Sequence, residues 1–363
     1  MAGGTEKVMA VAMEFFQTLY QSEGGQTDNQ ILQAVETCIT PSINSKFDMG
    51  FMAEEIKKAF LQIHPNKSPG IDGLPSSFYR KFWSICGPEF IKFCLDLLEG
   101  KCSWYEINKT VIVLIPKLEK PSHMKQFRPI SLCTVVYKTC AKVLVNRLKS
   151  IMPVCISENQ SAFVPGRMIS DNILVAHELI HYLNSAKNGP NKGAAVKLDM
   201  EKAYDRVEWH FLVDILTKMG FNEKWIELLM NCVTSVSYTI RVNGCISGYF
   251  RPSRGLRQGD PLSPYLFLLC TQGLSALLLK EQAAGRIVGV RASQRGPRVN
   301  HLLYADDCIL FIKNSEREAC RMKEVLKVYE KSSGQKVNVD KSAIYFSKGL
   351  LLSARTKSSK FFT

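Results

Sequence analysis

Two adjacent carboxylates, Asp306 and Asp307, interrupt an apolar run, with His301-Leu302-Leu303-Tyr304-Ala305 before them and Cys308-Ile309-Leu310-Phe311-Ile312 after them. Burying an ionised carboxylate is costly unless something neutralises it. The flanks are strand-like, so the pair is expected at the tip of a β-hairpin, a place suited to holding a divalent cation. A third acid, Asp199, closes a short strand-like run, Val196-Lys197-Leu198. Hard cations such as Mg²⁺ take oxygen ligands and use one or two carboxylates together with substrate phosphates. Two such ions on shared carboxylates stabilise the attacking and leaving oxygens of a phosphoryl displacement, and Mn²⁺ can replace Mg²⁺. An exposed turn is the competing reading of an Asp-Asp pair, but the apolar flanks and Tyr304 count against it. A lone structural cation site is a further alternative and suits the basic surroundings less well.

The elements that must position these acids follow from periodicity and turn residues. Helices are expected over 8–20, from Ile31, and over 53–63, 76–83, 90–98, 137–152, 169–183, 207–219, 224–234, 265–280 and 316–329. Strands are expected over 110–115, 194–198 and 341–346, with hairpins over 236–250 (through Asn243-Gly244) and 299–312. A Ser/Asn/Gly/Pro linker over 184–193 marks the clearest internal boundary. The order strand, helix, hairpin, helix, strand resembles a split βαβ sheet with helices on one face, an α+β class. In such a sheet the strand ending at Asp199 lies beside the acidic hairpin, and the three carboxylates converge.

The chain has 363 residues, 46% hydrophobic and 22% charged, with a net charge of +14. Such a field draws polyanions, nucleic acid first, although charge alone also suits any soluble basic protein. The twelve cysteines are scattered without a C-x-x-C pair and sit in apolar stretches as small hydrophobes do. With no signal-peptide pattern at the start, a reducing intracellular compartment is expected. The longest apolar stretch, 265–279, is broken by Thr271, Gln272, Gly273 and Ser275 and is too short and polar to span a bilayer, so no membrane partner is expected. His177, His181 and His301 lack partners at zinc-ligand spacing.

Lys117 and Arg128 bracket the charged loop after the strand at 110–115. Arginine grips phosphate through its planar fork, whereas lysine acts as a point charge. Lys120 and Lys125 read as solvated charges. The helix at 137–152 is expected to expose Lys138, Lys142, Arg147 and Lys149 and, with Arg167, to track nucleic-acid phosphate; an ordinary solvated face is the alternative. The run Arg254-Gly255-Leu256-Arg257-Gln258-Gly259-Asp260-Pro261-Leu262-Ser263-Pro264 leads into a helix. Its glycines allow close backbone approach and the helix start favours anions, although composition alone also fits a plain loop. Asp205 is expected to cap the helix that follows it.

Tyr304-Ala305-Asp306-Asp307 in an apolar hairpin, with Asp199-Met200-Glu201-Lys202-Ala203-Tyr204-Asp205 upstream, resembles a reverse transcriptase. The supporting runs are 66–73 with 78–83 after it, Phe127-Arg128-Pro129-Ile130-Ser131-Leu132, Phe163-Val164-Pro165-Gly166-Arg167, 255–264 and 334–342. They occur in family order over about residues 54–347 and look most like the LINE-type, non-LTR retrotransposon enzymes of plants. The resemblance implies a right-hand polymerase with an N-terminal helical extension (1–53), fingers (54–193), palm (194–348) and a short tail (349–363), the thumb absent or incomplete. It implies an RNA template, a DNA primer, dNTPs and two Mg²⁺ ions held by Asp199, Asp306 and Asp307, with the Met200 carbonyl helping. It places Tyr204 as the aromatic gate against a ribose 2′-hydroxyl, with a core tyrosine as the alternative. Arg128, favoured over Lys117, would meet the triphosphate; Gln258 and Gly259 would pack on the nascent base pair; Lys341 would lie near the pyrophosphate. Nuclear action, or a cytoplasmic ribonucleoprotein, is the matching location. Without a thumb, a nucleic-acid-binding relic that incorporates nothing is the alternative. A metal-dependent phosphodiesterase and an intron maturase are more distant ones.

Overall fold

A computed structural model describes residues 2–185 and 193–347. Most of the expected linker (186–192) and the expected tail (349–363) lie outside the described residues. The strands, in chain order, are β1 (Lys109–Pro116), β2 (Phe127–Leu132), β3 (Ala194–Leu198), β4 (Ser237–Val242), β5 (Cys245–Ile246), β6 (His301–Tyr304), β7 (Asp307–Ile312) and β8 (Ala343–Phe346). Six helices precede β1: α1 (Ala2–Leu19), α2 (Asn29–Ala34), α3 (Pro41–Phe47), α4 (Ala53–Leu61), α5 (Ser76–Lys81) and α6 (Trp83–Leu98). Between β2 and β3 lie α7 (Val135–Lys149), α8 (Met152–Cys155) and α9 (Ile169–Asn184). Next come α10 (Trp209–Met219), α11 (Glu223–Thr234), α12 (Ser263–Ala283) and α13 (Glu316–Ser333). Local chemistry sets several ends: Thr134, Asn222 and Ser315 side chains accept N-terminal amides of α7, α11 and α13, and left-handed Gly220 and Gly334 stop α10 and α13.

The strands form two sheets among the described residues, ordered β2-β1-β4-β5 and β6-β7-β3-β8. In the second sheet β3 lies antiparallel between β7 and β8, with Leu198 opposite Cys308. The α+β class and the neighbouring of the Asp199 strand and the acidic hairpin are as expected. The hairpin expected over 236–250 forms, with Asn243 and Gly244 both at positive φ, but β4 pairs in parallel with β1 in the other sheet. The strand β2 was not expected, because Pro129 breaks the pattern; as an edge strand it tolerates a residue with no amide to donate.

Helices on one face of the second sheet is an expectation the structure corrects. Val196, Leu198, Leu310 and Ile312 face the main core with α10, α12 and α13, whereas Ala195, Leu302 and Phe311 face Ala176, Leu179 and Leu183 of α9. On the second face Ile309 and Phe311 of β7 and Ala195 of β3 are apolar while Lys197 is exposed, so that face too needs cover over part of its length. The exposed basic face of the helix at 137–152 is also corrected. On α7, Lys138 is buried and its ammonium donates to the Ser68 carbonyl at 2.8 Å. Arg147 forks onto Glu55 at 2.9 and 2.8 Å and donates to the Phe47, Met49 and Gly50 carbonyls; Lys142 and Lys149 are half-buried. The helix packs against α4 and α6, and Lys138 and Arg147 serve that packing. Among the described residues no helix is long and apolar enough to cross a membrane.

Gly255 has φ +96°, and a Cβ there would meet the Asp205 carbonyl oxygen at 2.7 Å, whereas Gly244, at φ +84°, faces open space. Gly244→Ala is expected to cost about 1 kcal/mol and Gly255→Ala about 3 kcal/mol or more, because only the second adds a backbone clash to the left-handed strain. Urea unfolding of the two variants measures the difference.

Candidate active site

The β6–β7 hairpin turns through Ala305 and Asp306, between the paired residues Tyr304 and Asp307. Ala305 has φ +53° and Asp306 does not share the positive sign, the pattern of a II′-type turn. One step beyond the last pair of β3 and β7 stand Asp199 and Asp307. The backbone of 336–342 runs along the Asp199 end of β3: Asn338 N–H donates to the Asp199 carbonyl at 2.7 Å and Glu201 N–H to the Lys336 carbonyl at 2.8 Å. This segment brings in Lys341. The β1–β2 tip supplies Lys117 and Arg128, and the Gln258 carbonyl accepts the Ser131 N–H of β2 at 2.8 Å.

These elements wall a cleft of about 1030 Å³ lined by Asp199, Met200, Tyr204, Asp306, Lys117, Arg128, Gln258, Gly259 and Lys341. Of the ten site residues named from sequence, only Asp307 falls outside the lining; it sits beside it, open to solvent. Met200 bridges to the backbone of Val337. Tyr204 lines the cleft while its ring stacks on Phe267 at 4.5 Å, so its two readings meet in one position. Gly259, at φ +105°, lies close to β2, where a Cβ would come within 3.1 Å of the Ser131 carbonyl oxygen.

The cleft crowds like charges. The Asp306 carboxyl is pushed above its ordinary pKa by the protein around it and by the neighbouring Asp307 and Asp199 carboxylates. On the opposite wall Lys117 is pushed below its ordinary pKa by burial and by Lys341 and Arg128. Lys202, which donates to the Phe127 carbonyl at 3.1 Å, is lowered mainly by burial, with Lys117 and Lys341 adding to the effect. Yet among the described residues no three His, Cys, Asp or Glu side chains stand together in an arrangement ready to hold a metal ion. The acids are near enough to repel one another without forming a closed ligand set. Their chemistry, carboxylate oxygens at an open cleft, suits a hard cation that brings waters and phosphate oxygens of its own.

Several residues take places that sequence did not foretell. Asp205 does not cap α10, whose N-terminal neighbour is Glu208; it is fully buried and accepts hydrogen bonds from the Tyr20 hydroxyl at 3.2 Å and the Gln258 carboxamide at 3.3 Å. Burial raises its pKa to about 6, against the pull of Lys202 and these donors. Arg167 does not face the cleft: its guanidinium donates to the Ser157, Gln160 and Ile156 carbonyls. Arg254 and Arg257 are buried on Glu208 and Asp260, at 3.2 and 2.8 Å. Lys125 is largely exposed, as its solvated reading expects, and from the cleft wall it pairs with Glu201 at 3.2 Å. Gln160 reaches the acidic turn from a loop; nothing in the sequence marks it beyond its place just before the Phe163–Arg167 run.

A family model described as reverse transcriptase (RNA-dependent DNA polymerase) matches residues 115–361. The transposon TX1 uncharacterized 149 kDa protein of Xenopus laevis is 32% identical over 290 residues, 80% of this chain and 22% of that protein. A Pol polyprotein from the type-1 retrotransposable element R2 of Popillia japonica is 27% identical over 264 residues, 72% of this chain and 34% of that polyprotein. An uncharacterized mitochondrial protein of Arabidopsis thaliana is 61% identical over 66 residues, 18% of this chain and 54% of its own length. The matched regions thus span from 22% to 54% of these relatives.

The raised pKa of Asp205 fixes a sign. A carboxyl at about 6 when folded, against an ordinary 3.8, contributes stability that is full below the ordinary value and is lost as pH rises through about 6. Between pH 4 and pH 6 the wild type is therefore expected to lose roughly 2 kcal/mol relative to Asp205→Asn. Unfolding titrations of both proteins across that range measure it.

Proposed function

The chain belongs to the reverse transcriptase family, and from that premise we propose that it is the RNA-directed DNA polymerase domain of a LINE-type, non-LTR retrotransposon of plants. It adds dNTPs to a primer 3′ end on an RNA template. One observation carries the reading: a single cleft gathers two sets of charge, the Asp199 and Asp306 carboxylates and the Lys117, Arg128 and Lys341 cations. A triphosphate complexed with divalent cations matches both, since the cations answer Asp199, Asp306 and Asp307 while the phosphate oxygens answer Lys117, Arg128 and Lys341. On this reading residues 1–53 form a helical extension, 54–193 the fingers and 194–348 the palm, with β1 of the fingers paired to β4 of the palm in one sheet.

Asp199, Asp306 and Asp307, with the Met200 carbonyl, would hold two Mg²⁺ ions, or Mn²⁺ in their place. When bound, these ions supply charge stabilisation to the attacking and leaving oxygens of an in-line displacement. Arg128 presents its fork to the triphosphate and Lys117 adds a point charge. Lys341 donates a proton to the departing pyrophosphate. Tyr204, braced by Phe267, stands where a ribose 2′-hydroxyl would fall, and Gln258 and Gly259 support the nascent pair. The lack of a three-carboxylate cluster among the described residues favours one second reading, a relic that binds nucleic acid without extending it.

On poly(rA)/oligo(dT) with dTTP and Mg²⁺, the wild type is expected to incorporate label, and Asp306→Asn to lose about a thousandfold or more of the rate. Filter binding with no incorporation by the wild type would support the relic; incorporation unchanged in Asp306→Asn would overturn the carboxylate assignment. Tyr204→Val is expected to admit rUTP, narrowing the dTTP-over-rUTP preference in kcat/KM by about tenfold or more.

A further inference from the structure

We propose that Gln160 is the positioning residue that holds the Ala305–Asp306 turn in its left-handed form and so aims the Asp306 and Asp307 carboxylates. The catalytic consequence rests on the polymerase reading; the structural content rests on geometry alone. Ala305 has φ +53°, a conformation that glycine adopts freely and alanine rarely does. The Gln160 carboxamide bonds both polar backbone groups of this one residue. Its oxygen accepts the Ala305 N–H at 3.0 Å, and its nitrogen donates to the Ala305 carbonyl at 3.4 Å. The same oxygen accepts the Ala162 N–H at 3.0 Å, which fixes the orientation of the carboxamide. Gln160 is 1% exposed, so its bonds do not compete with bulk water.

The segment that presents Gln160 is itself fastened. β6 is an edge strand of its sheet, and residues 159–161 lie along that edge. Leu303 N–H donates to the Asn159 carbonyl at 2.8 Å, and Ser161 N–H to the Leu303 carbonyl at 3.3 Å. Behind this segment Arg167 gathers the Gln160 and Ile156 carbonyls, each at 2.7 Å. Arg167, expected from sequence to meet nucleic-acid phosphate, thus acts on the acidic turn through Gln160.

The test is a cycle of full-length wild type, Gln160→Met, Ala305→Gly and the double variant. Methionine keeps the length of the side chain and removes its bonds; glycine removes the need for them. Exchange of the residue-305 amide with solvent deuterium is read without metal or nucleotide, and dTTP incorporation is read separately. Gln160→Met is expected to speed exchange by about tenfold or more and to lower kcat by about tenfold, with KM for dTTP within about twofold. Adding Ala305→Gly is expected to restore kcat to within about threefold of wild type, which repair of a general packing defect would not do. Unchanged exchange in Gln160→Met, or an equal loss of kcat with and without Ala305→Gly, would overturn the proposal. If Gln160→Met does not fold, Gln160→Leu serves in the same cycle, because it also removes both bonds to Ala305 and adds no charge. If the wild type incorporates nothing, the polymerase reading fails while the exchange measurement still decides the role of Gln160.

Discussion

The register of β3 against β7 is the constraint on which the site depends. With Leu198 opposite Cys308, the next residues outward are Asp199 and Asp307, so two acids distant in the chain meet at one sheet end. A slip of one residue would send the side chains of β3 to the opposite face and separate the acids. What pins the register is apolar: Val196 and Leu198 face the core with α10, α12 and α13, and Ala195 faces α9. The hydrophobic alternation that makes the sheet thus also assembles the carboxylates, and burial on both faces outweighs their mutual repulsion because each acid stands at the solvent end of its strand.

The N-terminal helix is tied into the same centre. Ala12, Phe16, Leu19 and Tyr20 of the α1 region pack on Ile112, Tyr238 and Ile240, closing the face of the first sheet. From there the Tyr20 hydroxyl reaches Asp205, and Asp205 holds the Gln258 carboxamide at the cleft. Nearby, Glu23 accepts from Arg206, Arg254 and Lys336 at 2.7, 3.2 and 3.1 Å, joining the chain after α1 to three separate loops behind the cleft. Glu23 is half exposed, so water weakens each pair; the two arginines are buried, so the cluster fixes geometry more than it adds energy.

Much of this was legible in the sequence because it rests on local pattern. Alternation around Asp306-Asp307, Asn243-Gly244 and the helical periodicities of α1, α4, α10, α11 and α13 are short-range signals. What was not legible depends on tertiary partners. Lys138 and Arg147 look like an exposed basic face until α4 and α6 pack on α7. Asp205 looks like a helix cap until Tyr20, 185 residues earlier in the chain, arrives beside it. Gln160 and Arg167 declare their roles only when residues 159–161 settle on the edge of β6. In each case a long polar side chain satisfies distant backbone, and sequence spacing carries no trace of that.

On the proposed function, Asp199, Asp306 and Asp307 would hold divalent cations together with the nucleotide. Electron paramagnetic resonance titration of Mn²⁺ into the protein, with and without dTTP, tests it most directly. The expected result is Mn²⁺ binding that tightens with dTTP and weakens by about a hundredfold in both Asp199→Asn and Asp306→Asn. Binding of equal strength in the wild type and both variants would contradict it.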